Sequence, residues 1–203
     1  MRRILFVATL LGFSAALLAQ DAKVRPANIQ DVKIEKVGDS PVEAKFAPGG
    51  KVRMDLCPSG VEVAGKDEGA VRISYDRDAD VKVRLEIIGN EADLTVTRCP
   101  HNNFQLRIEV PKASSLRVRM FAGELQLRDV TGDKNVELGF GQLTMAIGNP
   151  DDYAHVDASV NSGDLEASAF AISKGGLFRS FDHSGPGKYR LHAHVGAGEL
   201  DLR

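Results

Sequence analysis

Apolar and polar residues alternate with a period of two through most of the chain from about residue 50 onward. In Leu116-Arg117-Val118-Arg119-Met120 the apolar side chains fall on one face and the arginines on the other. Phe104, Leu106, Ile108 and Val110 alternate with polar neighbours in the same way, as do Val81, Val83, Leu85 and Ile87. Successive side chains of a strand point to opposite sides, so this spacing predicts short strands with one buried and one wet face. No stretch beyond the first twenty residues sustains a helical period. Gly paired with Asn, Asp or Gly punctuates the runs, at Gly49-Gly50, Gly89-Asn90, Gly132-Asp133 and Gly148-Asn149. Such residues tolerate the positive φ of tight reversals.

A degenerate unit (Gly, polar, Leu, polar, apolar) then recurs. It reads Gly123-Glu124-Leu125-Gln126-Leu127, Gly141-Gln142-Leu143-Thr144-Met145, Gly163-Asp164-Leu165-Glu166-Ala167 and Gly198-Glu199-Leu200-Asp201-Leu202. The steps between the glycines are 18, 22 and 35 residues. The first two fit one coil of a β-solenoid; the third fits a coil plus a loop, assigned to the Gly- and Ser-rich stretch Ser173–Lys188. One coil cannot enclose its own apolar face. Stacked coils can, with Leu125, Leu143, Leu165 and Leu200 superposed in a dry interior. The expected fold is therefore all-β, a solenoid-like stack of short strands resembling a single-stranded β-helix, with a β-sandwich as the alternative.

The first residues read as an address. Arg2 and Arg3 precede an uncharged apolar run, Ile4–Ala19, that ends among small residues before Gln20-Asp21. This is the order of a secretory signal, and the run falls short of the about 20 residues a bilayer span needs. The expected organisation is a signal peptide at 1–19, an N-terminal extension at 20–44 and a β-repeat domain at 45–203. The expected location is periplasmic or secreted, with no stable membrane span after signal removal. Cys57 and Cys99 are the only cysteines. In an exported chain an even count points to a disulfide, favoured here over two separate thiols.

With 43% hydrophobic residues the 203-residue chain can bury a core, and a formal charge of −2 gives no basic footprint for nucleic acid. His192 and His194 alternate on one strand, with Asp182 and His183 as conceivable further ligands. Two wet residues opposite Leu191, Ala193 and Val195 are the favoured reading, so no metal site is expected. The residues after the repeat glycines, Glu124, Gln142, Asp164 and Glu199, would form an acidic row able to attract a cation or to serve a hydrolase or lyase acting on polysaccharide. A solvated face is favoured, and Gln142 interrupts the row. The chain lacks a phosphate-binding Gly-rich loop, HExxH, CxxC and a G-x-S-x-G elbow. No catalytic residue and no cofactor is expected. Leu177, Phe178 and Phe181 place three large apolar groups in the Gly-rich stretch, either covering the open end of the stack or contacting a partner. The last repeat, ending at Leu202-Arg203, is expected to have its strand edge either covered by another segment or left open to self-association.

In their order, Gly60-Val61-Glu62-Val63, Ile108-Glu109-Val110-Pro111 and the units from Ala122-Gly123-Glu124-Leu125 onward resemble the bacterial putative-adhesin family, a domain of unknown function with a toastrack-like β-repeat fold. The resemblance covers about residues 45–203. It implies an envelope or secreted β-repeat protein and assigns no catalytic residue. The expected function is an exported, noncatalytic protein with a structural or protein-binding role in the cell envelope. The alternative is a carbohydrate-active hydrolase or lyase on a β-helix face.

Overall fold

The computed structural model describes residues 31–75, 80–100 and 104–203. The expected signal at 1–19 and His101 lie outside the described residues. Eight short strands come first: β1 (Val32–Val37), β2 (Val42–Lys45), β3 (Lys51–Leu56), β4 (Ser59–Lys66), β5 (Ala70–Ser74), β6 (Lys82–Ile88), β7 (Glu91–Thr97) and β8 (Gln105–Pro111). Five long ones follow: β9 (Ser115–Arg128), β10 (Lys134–Met145), β11 (Tyr153–Ala167), β12 (Ile172–Ser184) and β13 (Tyr189–Leu202).

The long strands bend where the repeat places its glycine. Gly123, Gly141, Gly163 and Gly198 have φ between 123° and 138°, a region that only glycine enters readily. At the bend the inward phase shifts. On β9, Leu116, Val118 and Met120 point inward before it, and Leu125 and Leu127 after it. Each long strand thus contributes one arm to each of two faces. Before its bend β9 pairs with β3, and after it with β4. The pair β3–β4 acts as one rung interrupted at Cys57-Pro58, where proline lacks the N–H a continuous ladder requires. The first face runs β1-β6-β7-β3-β9-β10-β13-β11-β12, while β4, β8, β5 and β2 extend the second. The sheet is not closed into a barrel. One apolar core lies between the two faces.

The repeat leucines stack as the pattern requires. Val61, Leu125, Leu143, Leu200 and Leu165 occupy successive positions of one ladder, and all four leucines are buried. The order of the rungs departs from the order of the chain. After β11 the chain makes a short 3-10 turn at Ser168–Phe170 and returns as β12, antiparallel to β11. It then runs back as β13, which inserts in parallel between β10 and β11.

One expectation is corrected. The stretch assigned to a loop, Ser173–Lys188, is mostly strand β12, which accounts for the long third step of the repeat. Of the two outcomes expected for the edge of the last repeat, the covered one holds, because β13 is hydrogen-bonded on both sides; at that end of the sheet the open edge belongs to β12. Residues read as an extension, up to position 44, supply β1 and most of β2, which pair with β6 and β5. Cys57 and Cys99 form a disulfide, with Cα atoms 6.0 Å apart across 42 residues, tying the end of β3 to the end of β7.

Candidate functional site

The terminal rung β12 differs in kind from those beneath it. Its inward positions continue the ladders with polar groups. Lys174 stands over Leu165, Arg179 over Val160 and His183 over Val156. Lys174 Nζ donates to the Ser180 carbonyl at 2.8 Å, and Arg179 Nε donates to the Gly175 carbonyl at 2.7 Å. Each cation therefore reaches from one arm of the bend to the other and closes the end of the stack with charge. Phe181 lies over Ala158 and is only 9% exposed. It packs on Phe170 of the 3-10 turn, with ring centroids 5.1 Å apart, and Phe170 in turn meets the His183 ring at 4.9 Å.

The three apolar residues of this segment thus divide. Phe181 covers the core. Leu177 and Phe178 sit at the bend, 63% and 80% exposed, and Phe178 has φ +52°. A bulky side chain in the left-handed region, held in solvent rather than packed, is a local strain without a compensating contact inside the chain.

The outer faces of the other rungs are laced by ion pairs. Arg119 meets Glu137 at 3.3 Å, Arg53 meets Asp93 at 3.7 Å, and Arg128 pairs with Glu62. Of the two arginines that the sequence places on one face of β9, Arg119 is engaged in this way. The two histidines of β13 are separately engaged: His192 Nδ1 lies 3.0 Å from Asp157 Oδ2, and His194 Nδ1 lies 2.9 Å from Ser159 Oγ. Asp182 sits instead 3.4 Å from His155, and His183 faces inward. Among the described residues no three His, Cys, Asp or Glu side chains are placed to hold a metal ion. The acidic row is in register, in the spatial order Glu124, Gln142, Glu199, Asp164. Glu124 borders a hollow of about 340 Å³ with Gln105 and Phe104.

Sequence reasoning missed two features. The first is Lys134, only 3% exposed, in an inward position between Leu116 and Leu191. Its Nζ donates to the Tyr153 hydroxyl at 2.8 Å and to the Gly132 carbonyl at 3.1 Å. The Tyr153 hydroxyl donates onward to the Ile147 carbonyl at 3.2 Å. Burial, opposed only in part by Asp133 and Asp152, holds the Lys134 ammonium down at about 8. Burial likewise pushes the Tyr153 phenol up to about 12.

The second is a trough of about 660 Å³ on the outer face of β7, β3, β9, β10 and β13. Gly139 and Gly196 form its floor, and Phe121, 67% exposed, forms its apolar wall. Phe140, 52% exposed, lies in a T-shaped contact with Phe121 at 5.4 Å between centroids. Phase alone places Phe121 on the same face as Arg117 and Arg119, so the signal was present in the sequence.

No helix of the described residues is long and apolar enough to cross a membrane. No family model matches the sequence, and no curated protein matches it either. Among solved structures, the chain is similar to a putative cell adhesion protein from Clostridium sporogenes ATCC 15579, with a TM-score of 0.51 at 12% identity, over 85% of this chain and 99% of that one. A putative adhesin from Bacteroides fragilis NCTC 9343 gives a TM-score of 0.35 at 8% identity, over 85% of this chain and 97% of that one. A putative lipid binding protein from Parabacteroides distasonis ATCC 8503 gives 0.24 at 13% identity, over 52% and 54%. At such identities the likeness to the Clostridium sporogenes protein is one of fold: a rack of bent strands, all-β, as the sequence pattern led one to expect.

Proposed function

We propose that the chain is an exported, noncatalytic β-repeat protein with a structural or protein-binding role in the bacterial envelope, and that it meets an envelope protein through Leu177 and Phe178. The observation that carries this reading is the division of the terminal rung. Phe181, Lys174 and Arg179 close the stack, so Leu177 and Phe178 are not needed to cover the core, yet they stand in solvent at a strained bend. Exposed apolar anchors of this kind are typical of interaction surfaces. Export is supported by the charge and hydropathy order of residues 1–19 and is compatible with the disulfide. The noncatalytic reading is supported by outer rows whose charges neutralise one another, and by the break that Gln142 makes in the acidic row.

The test is photocrosslinking in the native envelope, with a benzophenone amino acid at position 178 and, as control, at position 33 on β1, followed by mass spectrometry. One recurrent protein adduct from position 178, absent from position 33 and lost in L177S with unchanged melting, is the expected result. A melting temperature that falls in L177S, with no adduct from position 178, would mean that these residues serve the fold alone.

A further inference from the structure

We infer that the trough beside Phe121 is a binding site for a neutral oligosaccharide. This goes beyond the protein contact at Leu177 and Phe178 and does not depend on it.

The shape of the trough follows from the close stacking of β9, β10 and β13. A Cβ on Gly139 would lie 2.4 Å from the Phe121 carbonyl oxygen, and one on Gly196 would lie 2.4 Å from the Gly139 carbonyl oxygen. The backbone therefore demands glycine at two successive rungs, and the missing side chains leave a floor two rungs wide. Rungs repeat at about 4.8 Å, so this floor is broad enough for a flat ring. Phe121 stands at its side, exposed over most of its surface and in T-shaped contact with Phe140.

The chemistry of the lip selects the ligand. Along the neighbouring outer row, Asp55, Arg119, Glu137 and His194 follow one another in register. Arg98 also borders the trough. Two carboxylates thus oppose two guanidinium groups, so neither an anion nor a cation is favoured by net charge. The row alternates acceptors and donors, with His194 able to serve as either at the ring nitrogen that Ser159 leaves free. A ring whose rim carries hydroxyls, each both donor and acceptor, and whose face carries C–H groups fits an alternating polar lip beside one aromatic plane. A peptide is less well served. The strands under the trough pair with neighbours on both sides, so no open backbone edge lies there to hold an extended main chain.

The test is titration calorimetry of the wild-type chain, disulfide intact, with cellohexaose, chitohexaose and maltohexaose as neutral probes. Hexagalacturonate and an uncharged hexapeptide serve as comparators. Binding of at least one neutral hexasaccharide is expected, weakened about tenfold or more in F121A. It should be unchanged in K33A, which lies on the distant β1 edge, and both variants should melt as the wild type does. The inference is overturned by any one of three results. These are no binding of any neutral probe at millimolar concentration, stronger binding of the polyanion or the peptide than of every neutral probe, or F121A binding as tightly as wild type.

Discussion

Gly198 lies so close over Gly141 that a Cβ on Gly198 would sit 1.8 Å from the Gly141 carbonyl oxygen. The same contact recurs up the stack, from Gly163 to the Gly198 carbonyl at 1.8 Å and from Gly141 to the Gly123 carbonyl at 2.0 Å. The repeat glycines are thus required twice, for a φ near +130° and for the approach of one bend to the next.

Replacing Gly198 by alanine therefore forces two penalties together. G198A is expected to destabilise by about 3 kcal/mol or more, or to prevent folding. Gly148 also has positive φ, +73°, but a Cβ there meets nothing within 4 Å. G148A is expected to cost only about 1 kcal/mol. Urea denaturation of both variants measures the difference, and equal losses would remove the stacking contact from the explanation.

The Lys134–Tyr153 pair makes stability depend on alkaline pH with two opposite signs. An unfolded lysine keeps its proton up to about 10.5, whereas folded Lys134 loses it near 8. Between these values the unfolded chain binds more protons, so stability rises with pH, by about 3 kcal/mol as an upper figure. This contribution is complete above 10.5 and lost as pH falls through 8. Tyr153 behaves oppositely. Its folded phenol keeps the proton to about 12 against an ordinary 10, so its contribution is present below 10 and lost as pH rises towards 12. Denaturation curves of wild type, K134M and Y153F from pH 7 to 12 should show the rise missing in K134M and the fall reduced in Y153F.

Lys174 and Arg179 end the apolar ladders with charge on β12, the open-edged rung at the β13–β11 end of the sheet. Terminal units of stacked folds need such a polar finish to stay soluble. The double replacement K174L with R179L should convert β12 into an adhesive rung. Light scattering across a concentration series should show mass rising with concentration for the double variant and a constant mass for wild type. A double variant as monomeric as wild type would show that these cations do not guard the edge.

Closing 42 residues with the Cys57–Cys99 bond is worth about 4 kcal/mol by chain entropy as an upper figure. Protein purified without reductant should resist iodoacetamide at both positions, and C57A with C99A should melt lower. Labelling of both thiols in the untreated protein would contradict the bond.

Much of the architecture was legible because it rests on local periodicity. Period-two alternation located β6, β8 and β9, and the repeat marked the bends and predicted that Leu125, Leu143, Leu165 and Leu200 would share an interior. β12 was not legible, because its inward positions hold Lys174, Arg179 and His183. A capping rung has no apolar alternation to detect. The insertion of β13 between β10 and β11 is a choice among equivalent parallel partners, and nothing local encodes it. Lys134 was in phase with Val136 and Leu138 and so belonged inside by periodicity, but its charge masked that assignment. Of the three apolar residues in the Gly-rich stretch, only packing against Phe170 separates Phe181 from its exposed neighbours.

Both surfaces, the terminal rung and the trough, depend on β13 lying between β10 and β11. Paired cysteines test this order directly, because Glu137 and His194 are register partners, as are His194 and Ser159, whereas Glu137 and Ser159 are separated by a whole rung. Oxidation of E137C with H194C, and of H194C with S159C, should give intramolecular crosslinks detected by mass spectrometry, while E137C with S159C should give none. A crosslink between positions 137 and 159, with none from position 194 to either, would place β13 at the edge and contradict the account.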